Sequence, residues 1–514
     1  MSRPPAFYQL LLSHMNKRKG GTDMLTEVEG YADLHYPEDL LSIIWNGFEQ
    51  SSNPKKVLIL GGGMAGLVSA SLLKRAGHEV MILEGNNRIG GRVYTVREPF
   101  TSGNYLDFGA MRIPENHELV FEYIKRFNLP INRFINSSPK DLIFANSVLT
   151  PKSEYKQNPD ILRFPLEEEE KGKTAAELFL EATQPFLDLY LKSTPEEQKK
   201  FKKQYSIYSM GDYLASNPFG KSLSDNAIRK IGVMLGIEGF PDFSFIDILT
   251  DVIYPIFSEK TTFYEITGGN DHLPRSFINE LQKEIKLNRK VVKIIQEDNR
   301  VCVQTLNPVT RKVSQYSGDY AIVTMPFTVF QFVDVVPHDS ISFKKWQTIR
   351  EVNNVQAVKI GIEFKSRFWE KMGYGNITSD LPLKFTYIPS HGIGSDGPGV
   401  LLASYSWGSD AVLWNSLSNE ELVRVVLKDL AKIYGNIVYT EFLQAVWFNW
   451  GQNPYSAGCF TLFTPQQQKN FDEITRKPEG RLHFAGEHTS SFHGWIEGAI
   501  ESGIRTAYEV HYRN

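Results

Sequence analysis

Between Lys55 and Glu84 the chain sets two short apolar runs, KKVLIL and HEVMILE, on either side of glycines and the longer stretch VSASLLKRAG. Short apolar runs bounded by glycine predict buried parallel strands, and the stretch between them predicts the crossover helix of a βαβ unit. Downstream the pattern changes twice. From about 151 to 250 apolar positions fall at helical spacing, as in TAAELFLEATQPFLDLYLK and SDNAIRKIGVML,. From about 285 short β-rich runs return as KVVKIIQED, RVCVQTLN, DYAIVTMP, AVKIGIEFK and GVLLASYSWG,. A helix over NEELVRVVLKDLAKIYG precedes a last strand, loop and helix that begin at His483. Near the start, PEDLLSIIWNGFEQ predicts a helix with Pro37 and two acids in its first turn, stopped by Ser51 to Pro54,. The acidic run Glu167 to Glu170 reads as a solvated helix start or loop,.

This order of elements predicts an α/β protein with a Rossmann-like domain assembled from separated stretches, a mixed-sheet domain and a helical insertion. Composition narrows the class. Lys plus Arg number 56 against 59 Asp plus Glu, a net charge of -3, so nothing draws the chain to nucleic acid,. Two cysteines, Cys302 and Cys459, suit a reducing compartment and cannot form a disulfide framework,. The opening residues place their apolar run before a basic cluster, unlike a secretory signal, so a cytoplasmic location is expected,. The apolar stretch from Val57 to Leu73 is interrupted by glycine and serine and is too short to span a bilayer,. The sequons at Asn136 and Asn376 are then read as chance,.

The chemistry begins at Gly61, Gly63 and Gly66, a G-x-G-x-x-G between strand and helix, where absent side chains let the backbone approach a pyrophosphate,. Glu84, at the end of the second strand, is placed to accept ribose hydroxyls,. The following RIGGR, Arg88 to Arg92, adds a second glycine turn flanked by guanidinium groups,. Late in the chain Phe484-Ala485-Gly486-Glu487 follows a strand, and a helix begins near Gly494-Trp495, its positive end suited to the anionic edge of a reduced flavin,.

These blocks resemble the FAD-dependent amine oxidase family. Gly109-Ala110-Met111-Arg112-Ile113-Pro114 and the closing HGWIEGAIESG are similar to L-amino acid oxidases, over about Tyr36 to the C-terminus. The resemblance implies an FAD domain from 54–93, 260–330 and 453–514, a substrate domain from 1–53, 94–150 and 331–452, and a helical domain at 151–259. It implies FAD contacts at Gly61, Gly63, Met64, Ala65, Gly66, Glu84, Gly85, Gly91, Arg92, Gly109, Ala110, Met111 and Arg112. Further FAD contacts are implied at Val292, Gly486, Glu487, Trp495 and Ile496. Arg112 and Tyr387 would hold a substrate carboxylate, the Gly494 carbonyl its amino group, and Trp495 would wall the pocket,. Lys359, a charged residue mid-strand, would hold a water used when oxygen reoxidises the flavin,.

The implied reaction converts an L-amino acid, oxygen and water to a 2-oxo acid, ammonia and hydrogen peroxide, in a chain that family habit makes a homodimer. An amide-forming monooxygenase and a monoamine or polyamine oxidase share the same motifs, and a non-enzymatic FAD scaffold is a further reading. One departure stands out: the segment FSFIDILTDVIYPIF lacks the active-site histidine of venom relatives. Asp247 and Asp251 there would favour basic side chains, while Phe243, Phe245, Tyr254 and Phe257 would favour apolar ones. No metal is expected, since His483, His488 and His493 lack ligand spacing and suit local hydrogen bonding,.

Overall fold

The structure, a computed structural model, describes residues 34–253 and 261–513. The βαβ start is realised as strand Lys56–Leu60, helix Met64–Arg75 and strand Glu79–Leu83. These join a five-stranded parallel sheet in the order Ile285–Lys286, Glu79–Leu83, Lys56–Leu60, Tyr320–Val323, Leu482–Phe484. Its central strand is buried on both faces, which is why KVLIL has no polar alternation,. Val57 and Ile59 pack with helices Met64–Arg75 and Ile496–Tyr512, whereas Leu58 and Leu60 pack with the four-stranded sheet that contains Val301–Leu306. The two helices cross closely. The Ser69 hydroxyl donates to the Gly503 carbonyl at 2.8 Å, joining residues 434 apart in sequence.

A seven-stranded mixed sheet forms the second layer, in the order Phe442–Asn449, Ala357–Phe364, Gly399–Trp407, Phe385–Tyr387, Ile377–Ser379, Leu142–Ala145, Val148–Pro151. Helix Asn419–Tyr434, started by a reciprocal capping box between Ser418 and Glu421, covers one face,. The other face meets the helical unit of Ala175–Lys192, Met210–Ala215 and Asp225–Leu235. Strand Phe263–Ile266 pairs with both Ile113–Pro114 and Ile131–Phe134, so the stretch after 260 is stitched to the segment that carries Arg112.

Two expectations need correction. The first described helix runs only Glu38–Asn46, because Gly47 leaves it at φ +71°, and its Leu40 and Ile44 join the apolar cluster that also holds Leu119 and Tyr123 of helix Glu118–Arg126 and Ile500. Glu170 is buried rather than solvated: its carboxylate accepts the Ser224 backbone N–H at 2.8 Å and the Ser224 hydroxyl at 2.6 Å, tying the acidic turn to the start of helix Asp225–Leu235.

Candidate active site

The glycine turn does two separate things. A Cβ on Gly66 would lie 2.1 Å from the Gly61 carbonyl oxygen, so this glycine lets the helix sit on the turn and does not line the cavity described below,. Around Gly63 the nearest atom to such a Cβ is 4.0 Å away, leaving its backbone open toward that cavity. Helix Met64–Arg75 starts there with no side-chain cap and no acid in its first turn, so its orphan N–H groups and positive end face an anion-sized space,. Glu84 accepts the N–H groups of Gly62 at 2.6 Å and Asn86 at 2.7 Å. Burial pushes its carboxyl up, against the pull of those donors,.

This turn borders a large cavity, partly open to solvent; the space not filled by protein atoms, the solvent at its mouth included, is roughly 1930 Å³. The sequence-predicted residues Gly61, Gly63, Met64, Ala65, Glu84 and Gly85 line its first part, with Gly91 and Arg92 from the second glycine turn. Gly109 to Arg112 and the late residues Gly486, Glu487, Gly494, Trp495 and Ile496 line the rest. Val292 does not line it: the strand Lys290–Gln296 slips register beside that residue, and Lys290 and Val291 form the wall.

In the cavity wall Arg92 donates to the Glu487 carboxylate at 2.6 Å and to the Cys459 carbonyl at 3.1 Å. Glu487 also accepts the Gly494 N–H at 2.9 Å and the Thr461 hydroxyl at 3.1 Å. Burial alone would raise this carboxyl, but Arg92, the neighbouring histidines and Gly494 bring it down to about 2,.

Arg112 is 6% exposed. Its Nη1 donates to the Asn136 side-chain carbonyl and, at 3.2 Å, to the Tyr387 hydroxyl oxygen. Among the described residues no carboxylate pairs with it, so a buried cation stands at the cavity wall with its Nη2 and Nε hydrogens unclaimed. Tyr387 lies behind Arg112 rather than in the wall. Lys359, 1% exposed, is also behind the wall; its Nζ donates to the carbonyls of Asp107 at 3.0 Å and Gly109 at 2.7 Å and sits 4.4 Å from the ring centre of Tyr405, which does line the cavity. Burial pushes the Lys359 ammonium down and the Asp107 carboxyl up.

A sequence profile of the flavin containing amine oxidoreductases matches residues 64–511, most of the chain. The chain belongs to that family. Its relatives include a putative L-amino-acid oxidase, YobN, of Bacillus subtilis (strain 168), 46% identical over 92% of this chain and 98% of that protein. An L-amino-acid oxidase of Pseudechis australis is 36% identical over 92% of this chain and 90% of its own length. Among solved structures, a putrescine oxidase mutant superposes with a TM-score of 0.72 over 90% of this chain and 99% of that one, at 18% identity. Cyclohexylamine oxidase from Brevibacterium oxydans IH-35A gives 0.66 over 89% and 99%, also at 18% identity.

This flavin amine oxidase is therefore an FAD-dependent oxidoreductase acting on amino groups, and the cavity fits that coenzyme. The open glycine turn and uncapped helix start suit a pyrophosphate, Glu84 a ribose, and the start of Ile496–Tyr512 an anionic ring edge,. No helix among the described residues is long and apolar enough to cross a membrane.

The oxidase also lines the cavity that Arg112 borders with Val252, Trp407, Phe460 and Leu462. Asp247 does not offer this space a bare charge, since one of its oxygens accepts the Phe463 N–H at 2.7 Å and faces His493 Nδ1 at 3.4 Å. Phe245 stacks on Tyr213 at 3.6 Å within the helical core, and Phe243 packs on Phe240; neither lines the cavity. The Asp251 side chain, Tyr254 and Phe257 lie outside the described residues. His483 bonds Glu509 at 2.8 Å, and His488 is buried against Phe327.

Sequence reasoning missed Asn136, His117, Tyr405, Trp407 and Cys459 as neighbours of this site. Asn136 did carry a signal, but as a sequon it pointed elsewhere.

Proposed function

We propose that this enzyme oxidatively deaminates L-amino acids, consuming oxygen and water and releasing a 2-oxo acid, ammonia and hydrogen peroxide, the water hydrolysing the imino acid left after two-electron oxidation. The observation that carries the reading is Arg112: a buried guanidinium without an acidic partner among the described residues, at the wall of the coenzyme cavity. An unpaired buried cation is expensive unless a ligand supplies the anion, and a carboxylate matches its planar fork. FAD, when bound, supplies the two-electron acceptor and passes the electrons to oxygen. The chain's own residues select and orient. Arg112 would take the carboxylate, Tyr387 would steady the guanidinium from behind by accepting from its Nη1, and the Gly494 carbonyl would accept from the amino group,. Lys359 would serve the oxygen step from behind Tyr405,.

The side-chain end of the pocket supports apolar and aromatic substrates. Val252, Trp407, Phe460 and Leu462 give the cavity apolar wall, and the two carboxylates that line it among the described residues, Glu84 and Glu487, are already engaged by backbone N–H groups and by Arg92. An anaerobic screen of L-amino acids, following bleaching of the flavin, should show reduction by leucine- or phenylalanine-like substrates well ahead of lysine-like ones. Arg112→Ala should lower kcat/KM for the best amino acid by about 100-fold, ~3 kcal/mol, and leave the matching decarboxylated amine nearly unchanged. Full activity of that variant on amino acids, or an amide as the main product, would overturn the proposal.

A further inference from the structure

Arg112 is aimed by its neighbours, and those neighbours are held together by one residue. Asn376 is 9% exposed and stands where strand Ile377–Ser379 begins. Its side-chain Nδ2 donates to the carbonyls of Ile135 at 3.1 Å and Asn136 at 3.3 Å, while its Oδ1 accepts the N–H of Ile388 at 2.9 Å. Its backbone is fixed too: the N–H donates to Asp141 at 3.1 Å and the carbonyl accepts from Leu142 at 2.9 Å. One amide therefore bridges the loop that carries Asn136 and the segment that follows Tyr387.

Those two residues are the ones that occupy Arg112 Nη1. A guanidinium nitrogen of this kind has two hydrogens, and here both are taken. With Nη1 committed, the fork cannot rotate freely, and the Nε and Nη2 edge is what remains for a ligand. A long side chain with several rotatable bonds loses entropy when it must be ordered on binding, so ordering it in advance favours the bound geometry.

From this arrangement we infer that Asn376 is a positioning residue for substrate recognition: it clamps Asn136 and Tyr387 against Arg112 Nη1, so that the opposite edge of the guanidinium is presented to the substrate carboxylate. Asn376 touches neither the substrate site nor the coenzyme cavity and acts only through Asn136 and Tyr387. The inference rests on the carboxylate-binding reading of Arg112. It also gives the two sequon asparagines one shared role: Asn376 spends both ends of its amide inside the fold, leaving no nitrogen for a glycan,.

The test uses the FAD-loaded enzyme and benzoate as a carboxylate probe, followed by its perturbation of the flavin spectrum. Asn376→Leu, close in volume but unable to bond, should raise the benzoate Kd about tenfold. It should lower by a similar factor the ratio of kcat/KM for an L-amino acid over its decarboxylated amine, with saturating kcat and flavin content retained. A merely structural residue would change yield or stability and leave that ratio alone. Should Asn376→Leu fail to hold FAD, Asn136→Ala on its half-buried loop decides by the same two readouts. A loaded variant with benzoate affinity and discrimination within twofold of the unaltered enzyme overturns the inference. Arg112→Ala, run in parallel, separates the two ideas. If it weakens benzoate while the asparagine variants do not, only the positioning role fails; if it too has no effect, the carboxylate reading fails.

Discussion

At Arg112 the decisive quantity is geometry and not charge alone. Lysine would keep the cation but lose the fork, so Arg112→Lys should retain amino acid oxidation with kcat/KM lowered roughly tenfold or more. Tyr387→Phe removes a hydroxyl that accepts from Arg112 at 3.2 Å, and the expected result is a KM several-fold higher with kcat little changed, read from initial rates of peroxide formation,. These residues also show where sequence reading ends. Arg112 was legible because Gly109 to Pro114 forms a local block. Asn136 was not, because its meaning depends on a contact 24 residues away, and Asn376 acts across 240 residues. Asp247 and His493, 246 residues apart, each have an unremarkable neighbourhood in sequence, and only folding brings them within 3.4 Å.

Among the elements, the βαβ start was readable because everything it needs lies within thirty residues: period, glycine spacing and strand-end acid. The hairpin Leu142–Ala145 with Val148–Pro151 and the strand Val313–Gly318 went unanticipated, since the first takes its place in a sheet whose other members are distant and the second is largely polar at an edge,. The glycine turn yields a paired prediction. Gly66→Ala would drive a methyl to 2.1 Å from the Gly61 carbonyl oxygen, so the apoprotein itself should melt several degrees lower,. Gly63 has an ordinary φ of −77° and open space around it, so Gly63→Ala should leave apoprotein melting unchanged while reducing FAD occupancy, measured by flavin absorbance per protein. Equal melting of the two apoproteins would contradict this division of labour.

Over the whole molecule the buried titratable groups define a pH window. Burial lowers His117 and His488 to about 3, so both fold in neutral form. Their contribution is complete above the unfolded pKa near 6.5 and is lost as pH falls toward 3. Glu487, depressed to about 2, adds to the same side: its contribution holds above about 4.5 and disappears as pH drops to its folded value,. Glu497 works the other way. Burial lifts it to about 7 despite the Leu119 and Val120 N–H groups and the Tyr36 hydroxyl, so its contribution is present at low pH and is lost as pH rises through 7,. Thermal midpoints measured from pH 4 to 9 should peak near neutrality, and His488→Gln with His117→Gln should flatten the acid limb; an unchanged acid limb would count against the two histidines. Added FAD should raise the midpoint in a concentration-dependent way, as any ligand confined to the folded state does.

The bond from Ser69 to Gly503 spans 434 residues of the polypeptide, and the helices it joins both border the cavity. A ribosome making this protein N-terminus first would finish the glycine turn early, yet the wall around Gly494 and Ile496 would still be unsynthesised. Flavin capture must therefore await the closing helix, and nascent chains arrested short of it should emerge colourless however much riboflavin the cell holds.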